Sequence, residues 1–150
     1  MIDFEYADTF DYPAATLFSF LTDLDARRSW ITGILDQRIT PAGPVGLGTQ
    51  YYEHGRYSGY ESKKTTAVTE FEQDRLFTLA TIPGSEQAYR ESFRIEPLSA
   101  TSCKVIFVTN IDAPKVAGLF MRQSMKKSAP ENARRIKAAL ADRAAPHTRG

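Results

Sequence analysis

A curved antiparallel sheet of about seven strands wrapped around a long C-terminal helix, an α+β arrangement, is the fold class this sequence predicts. Three observations predict it. Apolar residues alternate with polar ones at the start of the chain and again in consecutive segments up to residue 112. The connections between those later segments are too short for parallel crossovers, which need a dozen residues or more. One long helical pattern then follows, and it is the only element large enough to cover the sheet.

Element by element, residues 2–12 place Ile2, Phe4, Tyr6, Phe10 and Tyr12 on one face and Asp3, Glu5, Thr9 and Asp11 on the other, a half-buried strand. Asp8 interrupts the apolar face. Pro13 ends the strand and suits the first turn of a helix, in which Leu17, Phe18 and Leu21 recur at helical spacing. Asp23 or Asp25 can cap a second short helix holding Arg27, Arg28, Ser29 and Trp30. A short strand over 34–40 precedes a loop rich in Gly and Pro, from Pro41 to Gly48. Strands follow near 49–57, 60–72, 75–82, 87–97 and 103–112, punctuated by Ser58-Gly59, Gln73-Asp74, Pro83-Gly84-Ser85 and the run 99–102. Asp112 and Pro114 open the long helix, which extends to about Arg143. Ala129, Ala133, Ile136 and Leu140 form its second apolar stripe. Pro130 removes a backbone donor, and Ser128 with Glu131 has capping-box spacing, so a kink or restart is expected there. The expectation is one domain over 1–144 and a tail over 145–150.

Composition excludes several function classes. Nineteen Lys and Arg against eighteen Asp and Glu leave a net charge of +1, which predicts no polyanionic partner. Bases do gather late in the chain (Lys115, Arg122, Lys126, Lys127, Arg134, Arg135, Lys137, Arg143, Arg149), but no nucleic-acid reading motif accompanies them, so they read as a solvated helix face. Cys103 is the single cysteine, so no intramolecular disulfide can form, and with His54 and His147 far apart and the second in the expected tail, no His/Cys metal cluster is expected. No metal and no cofactor are expected. The N-terminus lacks the basic start and apolar run of a signal peptide, and no apolar stretch approaches the ~18 residues of a membrane span. A cytoplasmic, soluble domain without stable membrane insertion is the expectation. Gly43, Gly46 and Gly48 lead into a strand and lack a Lys-Ser/Thr ending, so they make no phosphate loop.

Several stretches resemble the START-like superfamily, also called SRPBCC or polyketide cyclase/dehydrase-like, over about residues 4–143. Phe10-Asp11-Tyr12-Pro13-Ala14-Ala15 through Leu21-Thr22-Asp23 is similar to the family's first strand and Pro-started helix. Trp30 resembles the tryptophan of its next short helix. Pro44-Val45-Gly46-Leu47-Gly48-Thr49 resembles its glycine-rich entry into the third strand, and Val68-Thr69-Glu70-Phe71-Glu72 the motif that ends the next. The run from Ala133 to Leu140 is similar to the end of its long helix. The resemblance implies the helix-grip fold and an internal cavity. It does not choose among cyclases, dehydratases, lipid carriers and receptors, because fold does not settle function.

In that family the residue at the position of Tyr51 tends to point inward, and alternation then carries Glu53 to the same side. A carboxylate in an apolar cavity has its pKa raised by desolvation, which would suit acid or base work, unless an arginine pairs with it. Glu91 stands alone among Tyr89, Phe93 and Ile95 on another alternating face, as Asp8 does in the first strand. Glu53, Glu91 and Asp8 are therefore the candidate catalytic acids. Tyr51, Glu53, Tyr89, Phe93 and Phe107 are candidate ligand-binding residues from the sheet, with Trp30, Phe120 and Met121 from the helices. Trp30, or the stripe of Phe120, Met121 and Met125, could equally be plain core. His54 faces away from Tyr51 by parity, and Cys103 reads as a small buried filler. Three readings follow: a module binding a small hydrophobic or aromatic, lipid- or polyketide-like molecule; a cofactor-free cyclase or dehydratase using the cavity carboxylates, with Tyr51 polarising a carbonyl; or a regulatory domain acting through a partner. Ile106 and Val108 alternate with Val105, Phe107 and Ile111, making that strand apolar on both faces, so monomer and homodimer both stay open.

Overall fold

The computed structural model describes residues 2–57 and 59–144. Met1, Ser58 and the expected tail 145–150, with His147, lie outside the described residues. Strand β1 (Ile2–Phe10) alternates in burial as its sequence does, with Phe10 buried at its end. Pro13 then offers its carbonyl to the amides of Thr16 and Leu17, starting α1 (Ala14–Thr22), which buries Leu17, Phe18, Phe20 and Leu21. A single 3-10 turn (Leu24–Ala26) leads into α2 (Arg27–Trp30), whose N-terminal boundary residue is Ala26 with no side-chain cap. The expected capping of this helix by Asp23 or Asp25 is therefore not made; the preceding turn supplies its first carbonyls.

Six strands follow: β2 (Ile34–Thr40), β3 (Gln50–Tyr57), β4 (Tyr60–Glu72), β5 (Leu76–Thr81), β6 (Tyr89–Pro97) and β7 (Cys103–Ile111). They form one sheet in the order β1-β7-β6-β5-β4-β3-β2, with every pairing antiparallel. The meander runs from β7 back to β2, and β1 adds at the far edge beside β7. Register shifts in β2 and β4 mark local bulges, which help a sheet curve.

Helix α3 (Lys115–Ala144) runs without a break through Pro130. The expected restart does not occur. Pro130 and Lys126 are both exposed, so water can reach the carbonyl that loses its helical donor. Glu131 bonds Arg134 and Arg135 instead of closing a capping box with Ser128. Packing along α3 is uneven. Ala133, Ile136 and Leu140 are buried in its second half, whereas Gly118 is the one buried residue in its first half. A Cβ on Gly118 would come within 2.9 Å of Ile2 Cδ1, so the missing side chain lets the helix start lie close over β1.

The second half of α3, α1 and the inner sheet face close on a filled core that includes Phe10, Leu17, Phe20, Phe77, Val105 and Ile136. Cys103 belongs to it, fully buried. On β7, Phe107 turns inward, while Ile106 and Val108 stay half-buried on the opposite parity between β1 and β6.

Candidate functional site

Away from the contact of Gly118 with β1, the first half of α3 stands off the sheet, and a cavity of about 860 Å³ lies between them. Its size falls within the usual range for small-molecule pockets. One wall is aromatic. Trp30 meets Phe93 edge-on at 6.1 Å between ring centroids, and Phe107 meets Phe93 edge-on at 5.7 Å. Phe77 stacks behind Phe93 at 5.9 Å, tying that wall to the filled core. The opposite wall is α3, through Val116, Phe120, Met121 and Met125.

The other end is polar and centred on Arg27, which is 2 % exposed. Trp30 lies three residues later on α2, so both side chains leave the same helix face. The guanidinium passes over the Trp30 ring at 5.5 Å and the Tyr51 ring at 5.2 Å. Its Nη1 lies 2.7 Å from Glu91 Oε1, and its Nη2 donates to Glu53 Oε1 at 3.4 Å. The Glu91 contact is an ion pair whose angle is too bent for a hydrogen bond, and Arg27 Nε and Nη1 have no aligned acceptor.

Glu53 collects four donors. Besides Arg27, Lys64 Nζ donates to Oε2 at 3.1 Å and Tyr57 Oη at 2.5 Å, while Tyr51 Oη lies 3.0 Å from Oε1. Four donors match the lone-pair capacity of a carboxylate. The same Tyr51 hydroxyl is also 3.0 Å from Gln37 Oε1. Tyr89 Oη donates to Glu91 Oε2 at 2.8 Å, and Lys64 Nζ sits 4.4 Å above the Tyr89 ring. Tyr57 reaches Glu53 by folding back over Gly55, where a Cβ would stand 2.2 Å from the Tyr57 hydroxyl oxygen.

The electrostatics follow from this geometry. Burial pushes Glu53 toward the neutral acid, but Arg27 and then Lys64 outweigh it and lower its pKa from 4.5 to about 2. Burial likewise opposes the charge on Arg27, yet Glu91 and Glu53 together hold its pKa well above the ordinary value. Burial, and then the neighbouring carboxylates, raise Tyr57 and Tyr89, so both phenols stay protonated donors. Tyr51 is raised too, by burial and against the pull of Arg27. Two cations and two carboxylates leave this end of the cavity neutral.

These positions correct several sequence expectations. Glu53 faces inward, but the expected rise in its pKa is reversed because Arg27 and Lys64 surround it. Glu91 also lines the cavity and shares Arg27. Asp8 does not join them: it accepts from Tyr6 Oη at 3.0 Å and from Lys137 Nζ at 3.2 Å, outside the cavity lining. Tyr51 is buried behind the wall rather than on it. Trp30, Tyr89, Phe93, Phe107, Phe120 and Met121 all border the cavity. His54 points away and contacts Glu61 Oε1 at 2.6 Å. Among the described residues no group of three or more His, Cys, Asp or Glu side chains is placed to hold a metal ion.

Arg27, Lys64 and Tyr57 are the site residues that sequence reasoning missed. Lys64 was within reach: the antiparallel register that pairs Tyr57 with Tyr60 also pairs Glu53 with Lys64. Arg27 shared a short helix with Trp30, a signal equally consistent with an exposed base.

The family model described as "polyketide cyclase / dehydrase and lipid transport" matches residues 1–142. No curated protein matches the sequence. Among solved structures, a START superfamily protein from Mycobacterium smegmatis is similar at TM-score 0.76 and 16 % identity, over 93 % of this chain and 97 % of that one. An aromatase/cyclase from Streptomyces sp. R1128 is similar at TM-score 0.66 and 14 % identity, over 92 % and 90 %. Human STARD10 is similar at TM-score 0.72 and 13 % identity, covering 93 % of this chain and 63 % of that one. At these identities the structural likeness establishes the fold alone, the curved antiparallel sheet around a C-terminal helix.

Proposed function

The chain belongs to the polyketide cyclase / dehydrase and lipid transport family, and from that premise we propose that it binds a small hydrophobic or aromatic, lipid- or polyketide-like molecule in the cavity beneath α3. One observation carries this reading: a space of about 860 Å³ walled by Trp30, Phe93, Phe107 and Met121, whose polar end is already neutral and internally paired. A ligand with a large apolar body and at most a small uncharged polar group suits such a space, because a second charge would have to compete with bonds the protein already makes. The space favours binding over acid–base chemistry. Glu53, with its pKa held near 2, has no proton to give at neutral pH, and deprotonating a substrate would break its pairing with Arg27 and Lys64.

Native mass spectrometry of the purified protein, followed by thermal shifts with fatty acids, sterols and aromatic polyketides, tests the proposal. At least one class should raise the melting temperature, and Met121→Trp, which fills the cavity from the α3 side, should abolish that rise while the protein stays folded. Unchanged ligand shifts in Met121→Trp would place the ligand elsewhere. Turnover of a polyketide substrate that is lost in Glu53→Gln, with binding retained, would instead favour the enzyme.

A further inference from the structure

The outer surface of α3 beside the cavity is built opposite to an ordinary amphipathic helix. Val116, Leu119 and Phe120 are 76 %, 68 % and 79 % exposed. At about 100° per residue they share an arc of roughly 100° on the solvent side. Lys127 falls within that arc, and Lys115, Arg122 and Lys126 line one edge of it; all four are exposed. Residues 113–130 contain these four bases and no acid. Val116 and Phe120 also border the cavity, as does Tyr60, 49 % exposed at the start of β4. An apolar, basic face therefore adjoins the cavity mouth.

We propose that this face docks peripherally on an anionic lipid surface. Exposed apolar side chains flanked by bases are the composition of a helix that lies in a membrane interface, where the apolar groups enter the acyl boundary and the long basic side chains reach the headgroups. No helix among the described residues is long and apolar enough to cross a membrane, so the contact is superficial. Charge selects this occupant over a second copy of the chain. A two-fold contact through this face would gather eight bases, four from each copy, with no acid from residues 113–130 to offset them. Docking there brings the cavity mouth to the bilayer, from which an apolar ligand would not need to cross water.

Co-sedimentation of the full chain with vesicles tests this. Phosphatidylcholine vesicles containing phosphatidylglycerol should bind the protein at low salt and release it at high salt, and pure phosphatidylcholine vesicles should bind it far less. Each base near an anionic surface changes binding roughly fivefold, so Lys126→Gln with Lys127→Gln should weaken it roughly 25-fold. Leu119→Ser should weaken it about tenfold or more, from lost apolar burial. None of these three positions lines the cavity, so ligand binding in solution should be unchanged in the variants. Equal binding to both vesicle types, or no binding to either, overturns the proposal. Light scattering that shows a dimer which Leu119→Ser dissociates also overturns it, by giving the face to a second copy. Docking that persists in a protein with no ligand shift would instead count only against the cavity reading.

Discussion

Replacing Arg27 with methionine should weaken this protein and flatten its acid response. Methionine keeps most of the apolar stem and removes the charge that two buried carboxylates share. At an effective dielectric of about 20, separations of 2.7 Å to Glu91 and 3.4 Å to Glu53 correspond to roughly 5–6 kcal/mol of attraction each. Much of that is offset by the cost of taking the ions out of water, and breaking one partner out of a buried network costs about 3–5 kcal/mol net. For a chain of this size that lowers the melting temperature by roughly 6–20 °C. The pH dependence carries the sharper signature. In the native protein Glu53 has a folded pKa below its unfolded one, so its contribution is present above about pH 4.5 and fades as pH falls toward 2. Without Arg27, Glu53 loses the larger of the two cations that hold its pKa down, so the depression shrinks and the variant should lose less stability than the native protein as pH falls from about 4.5 toward 2. Urea denaturation at stepped pH measures both effects. A variant that loses less than about 1 kcal/mol at pH 7, or whose stability runs parallel to wild type between about pH 4.5 and 2, refutes the assignment of Arg27 as the shared counter-ion. Combining Arg27→Met with Glu53→Gln and Glu91→Gln should recover much of the loss, because no carboxylate is left buried without its arginine and the remaining Lys64 charge is partly exposed.

Three further outcomes follow from the same structure. The lowered Glu53 pKa corresponds to about 3 kcal/mol of stability that should disappear between about pH 4.5 and 2; Glu53→Gln should flatten that limb in acid denaturation, and an unchanged limb would assign it to other carboxylates. Gly55→Ala should displace the Tyr57 ring from Glu53, because the new Cβ occupies the place of its hydroxyl; a loss of about 1–3 kcal/mol is expected from the broken hydrogen bond, and a stability within about 0.5 kcal/mol of wild type, the scatter of harmless surface changes, would mean that the contact contributes nothing. Ile136→Ala, in the filled end, should cost about 2–5 kcal/mol while ligand-induced shifts persist, and loss of ligand binding with the fold intact would show that the two ends are not separable.

How much of this was legible in the sequence depends on whether the signal was local. Alternation placed Tyr51 and Glu53 on the buried side of β3, and Glu91 and Phe93 on the buried side of β6, because a strand turns every second side chain to the same face. The short turns made the meander, and the Ala133, Ile136 and Leu140 stripe made the half of α3 that packs tightly. The inward parity of Asp8 was legible as well. That it meets Lys137 of α3 rather than the cavity was not, since a strand pattern does not say what lies above it.

The sequence by itself determined the order of elements, the antiparallel sheet, the inner faces of the strands and the absence of a disulfide within the chain. Only the tertiary structure decided that the first half of α3 stands off the sheet beyond its Gly118 contact with β1, that Arg27 from a four-residue helix lies between carboxylates on β3 and β6, and that Glu53 is consequently held as an anion. The physical reason is range. Periodicity is fixed by backbone geometry over a few neighbouring residues, whereas ionisation depends on which charges lie within a few ångströms. For Arg27 and Glu53 those charges are 26 residues apart in the chain.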